Sequence, residues 1–206
     1  MKKMMLLCLA LVFAAGFQSI AGGADKTIAN LKAAFKGEST ASAKYAAFAE
    51  QAKKEGLTQI ASMFEATSKA EQIHATNHQT VLEKMGQKTD PVKPEFTVKT
   101  TKDNLQDAIT GETYEMTTMY PGFIATAKTE DATSASKSFR WAMDTEKKHQ
   151  LMYQNALNAL NAGKTETLSK VYWVCPKCGN TYDVAKPEAS CSFCSTKNDK
   201  FIKFGK

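Results

Sequence analysis

The chain has 206 residues, of which 43% are hydrophobic and 23% are charged. A chain of this length can bury one sizeable core and carry a second, smaller unit. Its formal net charge of +6 comes almost entirely from lysine, since Arg140 is the only arginine. The lysines are spread along the chain, which is typical of a solvated exterior and argues against a nucleic-acid partner, because such surfaces concentrate basic residues and favour arginine.

The first 21 residues have the features of a secretory signal. Lys2-Lys3 precede an apolar run from Met4 to Phe17, and Ser19-Ile20-Ala21 places small residues at both cleavage-recognition positions. We therefore predict cleavage after Ala21 and export to the periplasm. An uncleaved membrane anchor is the alternative, although the apolar run is short for a bilayer.

Two long helices are predicted next, from about Asp25 or Thr27 to Lys54 and from about Leu57 to Met85. Apolar residues recur every three or four positions in both segments, and a glycine follows each of them. Because only a couple of residues join the two helices, they should be antiparallel neighbours.

The apolar faces of these two helices carry polar residues that need a partner. Glu38 and Tyr45 lie on the first face, and Glu71 and His74 lie on the second. Burying an ionised carboxylate costs several kcal/mol unless it is paired or bound to a metal, so these faces are predicted to hold metal ligands. His78, one turn beyond His74, is either a satisfied histidine near the bundle end or a donor that supports the ligands.

The segment from Gln87 to Thr101 contains Pro91 and Pro94 and cannot be helical in its middle. A long connection at this point suits a bundle whose second and third helices run parallel, as in ferritin-like topology.

A third helix is predicted from Thr101 or Asp103, with Glu112 and Glu115 on its inner face. Pro121 falls inside the helical pattern and predicts a kink or bulge just after the carboxylate pair. Two interpretations stay open: the irregularity re-aims Tyr120 towards a metal site, or it merely ends the helix.

A fourth helix is predicted after Asp131 and before Gly163, and Glu146 and His149 repeat the Glu-x-x-His spacing on its inner face. Two such motifs, together with carboxylates on two other helices, match the ligand set of a di-iron or di-manganese site in a bundle core. The predicted ligands are Glu38, Glu71, His74, Glu112, Glu115, Glu146 and His149.

The periodicity changes beyond Gly163, and we predict a bundle over residues 22–166 and a small domain over residues 167–206. Two Cys-x-x-Cys pairs lie between a short strand at 171–174 and another at 201–204; they are Cys175, Cys178, Cys191 and Cys194. So small a unit cannot bury enough surface alone, so the cysteines are predicted to hold a tetrahedral metal ion. Sulfur ligands in this geometry suit iron and zinc alike.

These motifs, in this order, resemble rubrerythrin over essentially the whole chain after residue 21. The resemblance implies a mainly α protein, in which a ferritin-like di-iron four-helix bundle is fused to a small C-terminal rubredoxin-like domain. One departure is Ser195, which follows the second cysteine pair where the family commonly has glycine, a residue that adopts a left-handed conformation freely.

The resemblance also implies an activity and a role for each site residue. The protein would reduce hydrogen peroxide to water during oxidative stress, with electrons from a donor protein relayed through iron in the four-cysteine site. Glu38, Glu71, Glu112 and Glu146 would bind the two non-haem irons, with Glu71 and Glu146 as bridges and His149 on the second iron. His74 and Glu115 would exchange on the first iron with redox state, and Tyr45 and Tyr120 would lie just behind the ligands.

Two other functions remain open at this point. A ferritin-like site could act as a ferroxidase in iron handling, but a ferroxidase draws electrons from its own substrate and needs no fused four-cysteine unit. A zinc ribbon on a purely structural bundle is disfavoured by the seven inward ligands.

The spacing also leads to an expectation about assembly. The thirteen residues from His149 to Ala162 span roughly 20 Å of helix, and Gly163 to Lys170 is too short to bring the C-terminal domain far back. We therefore expect a head-to-tail homodimer, in which the four-cysteine site of one chain lies beside the di-iron site of the other.

Overall fold

The computed structural model describes residues 23–206 and shows a mainly helical chain with a small C-terminal sheet, as predicted. The predicted signal lies outside the described residues. No helix in the described part of the chain is long and apolar enough to cross a membrane. The helices are α1 (Asp25–Lys54), α2 (Thr58–Lys84), α3 (Thr101–Tyr114), α4 (Tyr120–Thr129) and α5 (Thr133–Asn161).

Helices α1 and α2 form a hairpin whose turn is closed by Gly56. This residue has a φ of 76°, a left-handed conformation that glycine adopts without steric cost. At the far end of the bundle, the crossover from residue 85 to residue 100 is not helical, as the prolines predict. The carboxylate of Glu55 accepts a hydrogen bond from the backbone N–H of Thr101 at 3.0 Å, which anchors the start of α3 beside the end of α1.

A π-helical segment at Glu115–Met119 separates α3 from α4. Proline lacks the N–H that an α-helix requires, and a π bulge accommodates this break without ending the helix. The predicted irregularity is therefore present, and the helix continues beyond it. Tyr120, the first residue of α4, is completely buried and points into the bundle. This agrees with the interpretation that the irregularity re-aims Tyr120 towards a metal site.

Two apolar clusters fill the bundle, and the polar ligands lie between them. On α1, residues 31 and 34 belong to one cluster and residues 45–52 to the other, with Glu38 between them. On α5, residues 135–142 and 152–157 flank Glu146 and His149 in the same way. Each fully buried large side chain contributes about 1.5–3 kcal/mol, so packing above and below the ligands stabilises the bundle around them.

The C-terminal domain contains a three-stranded antiparallel sheet in the order β2-β1-β3. Its strands are β1 (Val171–Val174), β2 (Thr181–Tyr182) and β3 (Ile202–Gly205). The first matches the predicted strand, the third lies one residue further along than the predicted 201–204, and β2 was not predicted, because two residues show no periodicity.

The expectation that the short connection keeps this domain from lying far back along its own bundle is wrong in the structure. Strands β1 and β3 pack against α2 of the same chain, and the side chain of Asn77 on α2 donates a hydrogen bond to the carbonyl of Lys177 at 3.0 Å. The connection after α5 is followed directly by β1, whose four residues extend over roughly 13 Å and pack against α2, and the turn that contains Cys175 and Cys178 follows at the end of this strand.

Candidate metal centres

Six of the seven predicted bundle ligands meet in two overlapping groups. One group contains Glu38, Glu71, His74 and Glu146, and the other contains Glu71, Glu112, Glu146 and His149, with the ligand atoms of each group within 4.8 Å of one another. All six side chains are at most 2% exposed. Because Glu71 and Glu146 belong to both groups, they occupy the positions of carboxylates that bridge two ions.

The contacts between these groups favour metal coordination over hydrogen bonding. Nδ1 of His149 lies 2.9 Å from Oε1 of Glu71 and 2.9 Å from Oε2 of Glu146. Yet none of these three atoms makes a hydrogen bond of acceptable geometry. Close approach without hydrogen-bond geometry, in a group whose ligand atoms all lie within 4.8 Å of one another, is what the ligands of one ion require. The residues present therefore fit a metal pair.

The charges of the site require cations. Burial, reinforced by the neighbouring carboxylates, raises the pKa of Glu38 and of Glu112 well above the usual range. Burial also disfavours ionisation of Glu71, but His149 and His74 outweigh it and lower the pKa of Glu71 to about 2. Several acidic groups in a dry core are costly as anions unless divalent ions neutralise them. Carboxylate and imidazole ligands suit iron or manganese.

The two ligand histidines hold protons where metal ions would bind. Burial alone would lower their pKa values, but the negative charges of Glu71 and Glu146 raise the pKa of His74 to about 10 and that of His149 to about 9. Metal binding must displace these protons from the atoms that face the ions.

Removal of the metals should therefore make the stability of the protein depend on pH. For the two histidines, and for Glu38 and Glu112, the folded-state pKa lies above the unfolded-state value. The folded chain then binds more protons than the unfolded chain, and its stability must fall as pH rises. Two shifts are opposite: that of Glu71, from 4.5 to about 2, acts only below about pH 4.5, and that of His78, from 6.5 to about 3, acts only below about pH 6.5.

We expect the chelated protein to lose a few kcal/mol of unfolding free energy between about pH 6 and pH 9, since one pKa unit corresponds to about 1.4 kcal/mol. Urea unfolding of the chelated and the metal-loaded protein across this range measures the effect. The loaded protein is the control and should show a much flatter profile. A chelated protein whose stability is constant or rises with pH contradicts this electrostatic account.

Glu115, the seventh predicted ligand, lies outside both groups. It begins the π segment, is half-buried, and lines a surface cavity of about 390 Å³ together with Tyr45 and Gly111. The structure thus has His74 among the ligands and Glu115 withdrawn from them. The exchange of these two residues with redox state stays a prediction.

Two tyrosine hydroxyls hold the terminal carboxylates. Tyr45 donates a hydrogen bond to Oε1 of Glu112 at 2.6 Å, and Tyr120 donates to Oε1 of Glu38. Burial, with the nearby carboxylates, raises the pKa of both phenols well above the usual value, so both remain protonated donors. Their positions agree with the roles that the resemblance implied.

His78 lies behind Tyr120 and is completely buried. Its Nε2 is 3.2 Å from the Tyr120 hydroxyl, and its Nδ1 is 2.8 Å from the hydroxyl of Ser138. Burial and the charge of His74 lower the pKa of His78 to about 3, so its ring is neutral. His78 is therefore a satisfied, hydrogen-bonded histidine, and it also contacts Tyr120, which holds the ligand Glu38. Both interpretations of His78 thus describe part of its role. Ser138 had no signal in the sequence.

The four cysteines are free thiols that form the second centre. Their sulfur atoms all lie within 4.8 Å of one another, as tetrahedral ligands of one ion do. Gly179 and Ser195 follow the two pairs, and both have a left-handed backbone, with φ values of 81° and 59°. Ser195 therefore takes the conformation that its position requires, at a cost of roughly 1–2 kcal/mol.

A lysine and an asparagine connect the cysteines to α5. The Lys148 ammonium donates to Oδ1 of Asn180 at 2.6 Å, and Nδ2 of Asn180 lies 3.6 Å from Sγ of Cys191. The same ammonium lies 4.7 Å from the ring centroid of Tyr182 and 4.8 Å from that of Phe193. This cation fits beside an anionic metal–tetrathiolate group.

The loop that follows Cys178 contacts both ligand histidines. A Cβ atom placed on Gly179 would lie 2.3 Å from Nε2 of His74, so the Gly179 backbone lies directly against this ring. Two residues further on, the hydroxyl of Thr181 lies 2.9 Å from Nε2 of His149. The two metal centres are thus joined by direct contacts within one chain.

Gly179→Ala should push the C-terminal domain away from the bundle. The new methyl group would clash with His74, and the residue would also carry the strain of a positive φ. We expect a lower thermal midpoint and faster proteolysis between the domains. Gly56→Ala is the matched control, since it has a φ of 76° but no atom within 4 Å of its Cβ. Equal losses in both variants would show that only backbone strain matters and that the close contact does not.

A ferritin-like helical bundle with a carboxylate and histidine di-metal site, joined to a four-cysteine metal domain, defines a class of non-haem iron oxidoreductases. Residues 29–157 match the family model described as Rubrerythrin. The chain belongs to the rubrerythrin family, and its bundle site is a di-iron site.

Individual relatives and solved structures agree with this assignment. The chain is 34% identical to Rubrerythrin-2 of Clostridium acetobutylicum over 84% of this chain and 94% of the relative. It is 35% identical to nigerythrin of Nitratidesulfovibrio vulgaris over 86% of each chain. A solved mixed-valence structure of nigerythrin superimposes with a TM-score of 0.77 at 32% identity, over 98% of this chain and 100% of that one.

Proposed function

We propose that the protein reduces hydrogen peroxide to water at the di-iron site, with electrons supplied through iron in the four-cysteine site. The observation that supports this function most strongly is the direct contact between the two centres at Gly179 and His74. A ferroxidase takes electrons from its substrate iron and has no use for a second centre in contact with the first. Ferroxidase activity is therefore the less favoured function.

The groups of the site have different roles in this reaction. When bound, two ferrous ions supply the two electrons that cleave the O–O bond, and two protons complete two water molecules. Tyr45 and Tyr120 keep Glu112 and Glu38 oriented through their hydrogen bonds. The apolar clusters on both sides of the ligands exclude bulk water, which strengthens the electrostatic interactions inside.

The cavity beside Glu115 is the entrance that we propose for peroxide. It opens between α1 and α3, and Tyr45, whose hydroxyl contacts Glu112, lies at its wall. Gly37 and Gly111 also line it, so no side chain of theirs narrows the passage. The lining is mainly apolar, and Lys36 and Lys44 add two side chains that can donate hydrogen bonds to peroxide.

The electron route that we propose runs from Cys178 through the backbone of Gly179 to His74. A separate reduced donor protein would deliver electrons to the four-cysteine site, which is only partly covered at Cys194. A head-to-tail dimer that exchanged C-terminal domains would build the same contacts between chains, so the dimer remains a proposal.

Export to the periplasm also remains a proposal, because it depends on residues 1–21. Sequencing of the mature amino terminus tests it: we expect a start near Gly22, and an intact Met1 in the cytosolic fraction would contradict it.

Two assays on the same iron-loaded preparation separate the leading function from the alternative. The first follows peroxide consumption with a reduced donor, and the second follows oxidation of added ferrous iron by oxygen. We expect sustained turnover in the first assay and no catalysis beyond the bound iron in the second. The reverse result would identify an iron-handling protein.

A further inference from the structure

We propose that Thr181, in the C-terminal domain, is a positioning residue for the di-iron site, because its hydroxyl holds the outer nitrogen of His149. The small domain then completes the metal site of the bundle as well as carrying its own metal. His149 lies on α5 and Thr181 lies on β2, 32 positions apart in the chain, so only docking of the domain brings them together.

The carbonyl of Gly179 sets the direction of the hydrogen bonds that link it to Thr181 and His149. The Thr181 hydroxyl lies 3.0 Å from the carbonyl oxygen of Gly179. A carbonyl oxygen can only accept a hydrogen bond, so the hydroxyl donates its proton there. The oxygen of Thr181 then has lone pairs left for Nε2 of His149 at 2.9 Å, and that nitrogen must be the donor.

This direction places the proton of His149 on its outer nitrogen. Nδ1, which faces Glu71 and Glu146 at 2.9 Å, is then the nitrogen that gives up its proton when a metal ion binds. A ligand histidine whose other nitrogen is held in this way has its ring orientation and tautomer fixed, and loss of such a partner typically weakens metal binding 10–100-fold.

Burial makes this contact stronger than a surface hydrogen bond. His149 is completely buried and Thr181 is 1% exposed, so water has little access to replace a lost partner. His74 differs, because its Nε2 has no hydrogen-bond partner among the described residues and faces the Gly179 backbone. The domain therefore fixes one ligand histidine and leaves the outer nitrogen of the other unheld.

The matched test pair is Thr181→Val, which removes the hydroxyl while keeping the shape, and Thr181→Ser, which keeps the hydroxyl. The probe is Co²⁺, titrated into metal-free bundle sites against a competing chelator, after the four-cysteine site has been filled. We expect Thr181→Val to bind Co²⁺ at the His149 position 10–100-fold more weakly and Thr181→Ser to bind within a few-fold of the parent. Equal affinities in all three proteins would overturn the proposal.

A second readout distinguishes orientation of the ring from general loosening of the fold. In the Co²⁺-loaded parent, the Nε2 proton of His149 should give a slowly exchanging, paramagnetically shifted NMR signal, and Thr181→Ser should retain it. A parent protein that lacks this protected proton contradicts the proposal, even if Thr181→Val fails to fold. Neither measurement uses peroxide, so both are independent of the proposed activity.

Discussion

Glu71→Ala is expected to abolish peroxide turnover and to leave the bundle unable to hold two irons. Glu71 belongs to both ligand groups, and its two oxygens face His149 and His74 at 2.9 Å and 2.8 Å. Its removal therefore takes one ligand from each ion at once. The expected result is fewer than two bundle irons per chain by metal analysis and peroxide consumption at the level of free iron.

The matched control is Glu83→Ala, which removes an exposed carboxylate from the same helix. It should keep full metal content and activity. Circular dichroism should show the same helix content in both variants, so that lost activity is not lost fold. If Glu71→Ala folds, keeps two irons and turns over peroxide at the parent rate, the bridging assignment is wrong.

The second large effect is expected when Cys175 and Cys178 are both replaced by serine. This variant should lose the four-cysteine metal, while the bundle ligands remain in place. Pre-reduced di-iron should still consume one peroxide per site, because the two electrons are already there. Sustained turnover with an electron donor should fall to background, since no route remains from the donor to the bundle.

Mixing this double variant with Glu71→Ala tells which chain supplies the electrons. Each variant is inactive alone in sustained turnover. If the contacts at Gly179 and Thr181 form within one chain, as in the structure, mixed dimers should stay inactive. Recovered activity would show that C-terminal domains are exchanged between chains, as the head-to-tail expectation holds.

The sequence was most informative where ionisable side chains lie on apolar helix faces that must be buried. A carboxylate such as Glu71 on an apolar helix face has few explanations other than a metal or a charged partner, and the repeat of Glu-x-x-His at Glu146 identified its counterpart. Pro121 predicted the irregularity that the structure shows as a π segment, because its missing N–H must interrupt the helix nearby.

What could not be predicted depends on how separate elements dock. The position of the C-terminal domain follows from the direction in which β1 leaves the connection, and nothing local in Val171–Val174 encodes that direction. Thr181 and Ser138 are small polar residues without a motif, and their importance appears only when His149 and His78 lie beside them. The withdrawal of Glu115 likewise depends on the local geometry of the π segment.

We propose that both metal centres of the protein give electrons to peroxide. An anaerobic titration of the fully reduced, iron-loaded protein with hydrogen peroxide tests it most directly, with visible absorption of the ferric four-cysteine iron as the readout. This colour should appear and reach its plateau at about one and a half peroxides per chain, because each peroxide takes two electrons and three ferrous ions hold three. A four-cysteine site that stays reduced, while peroxide oxidises the bundle irons alone, would contradict it.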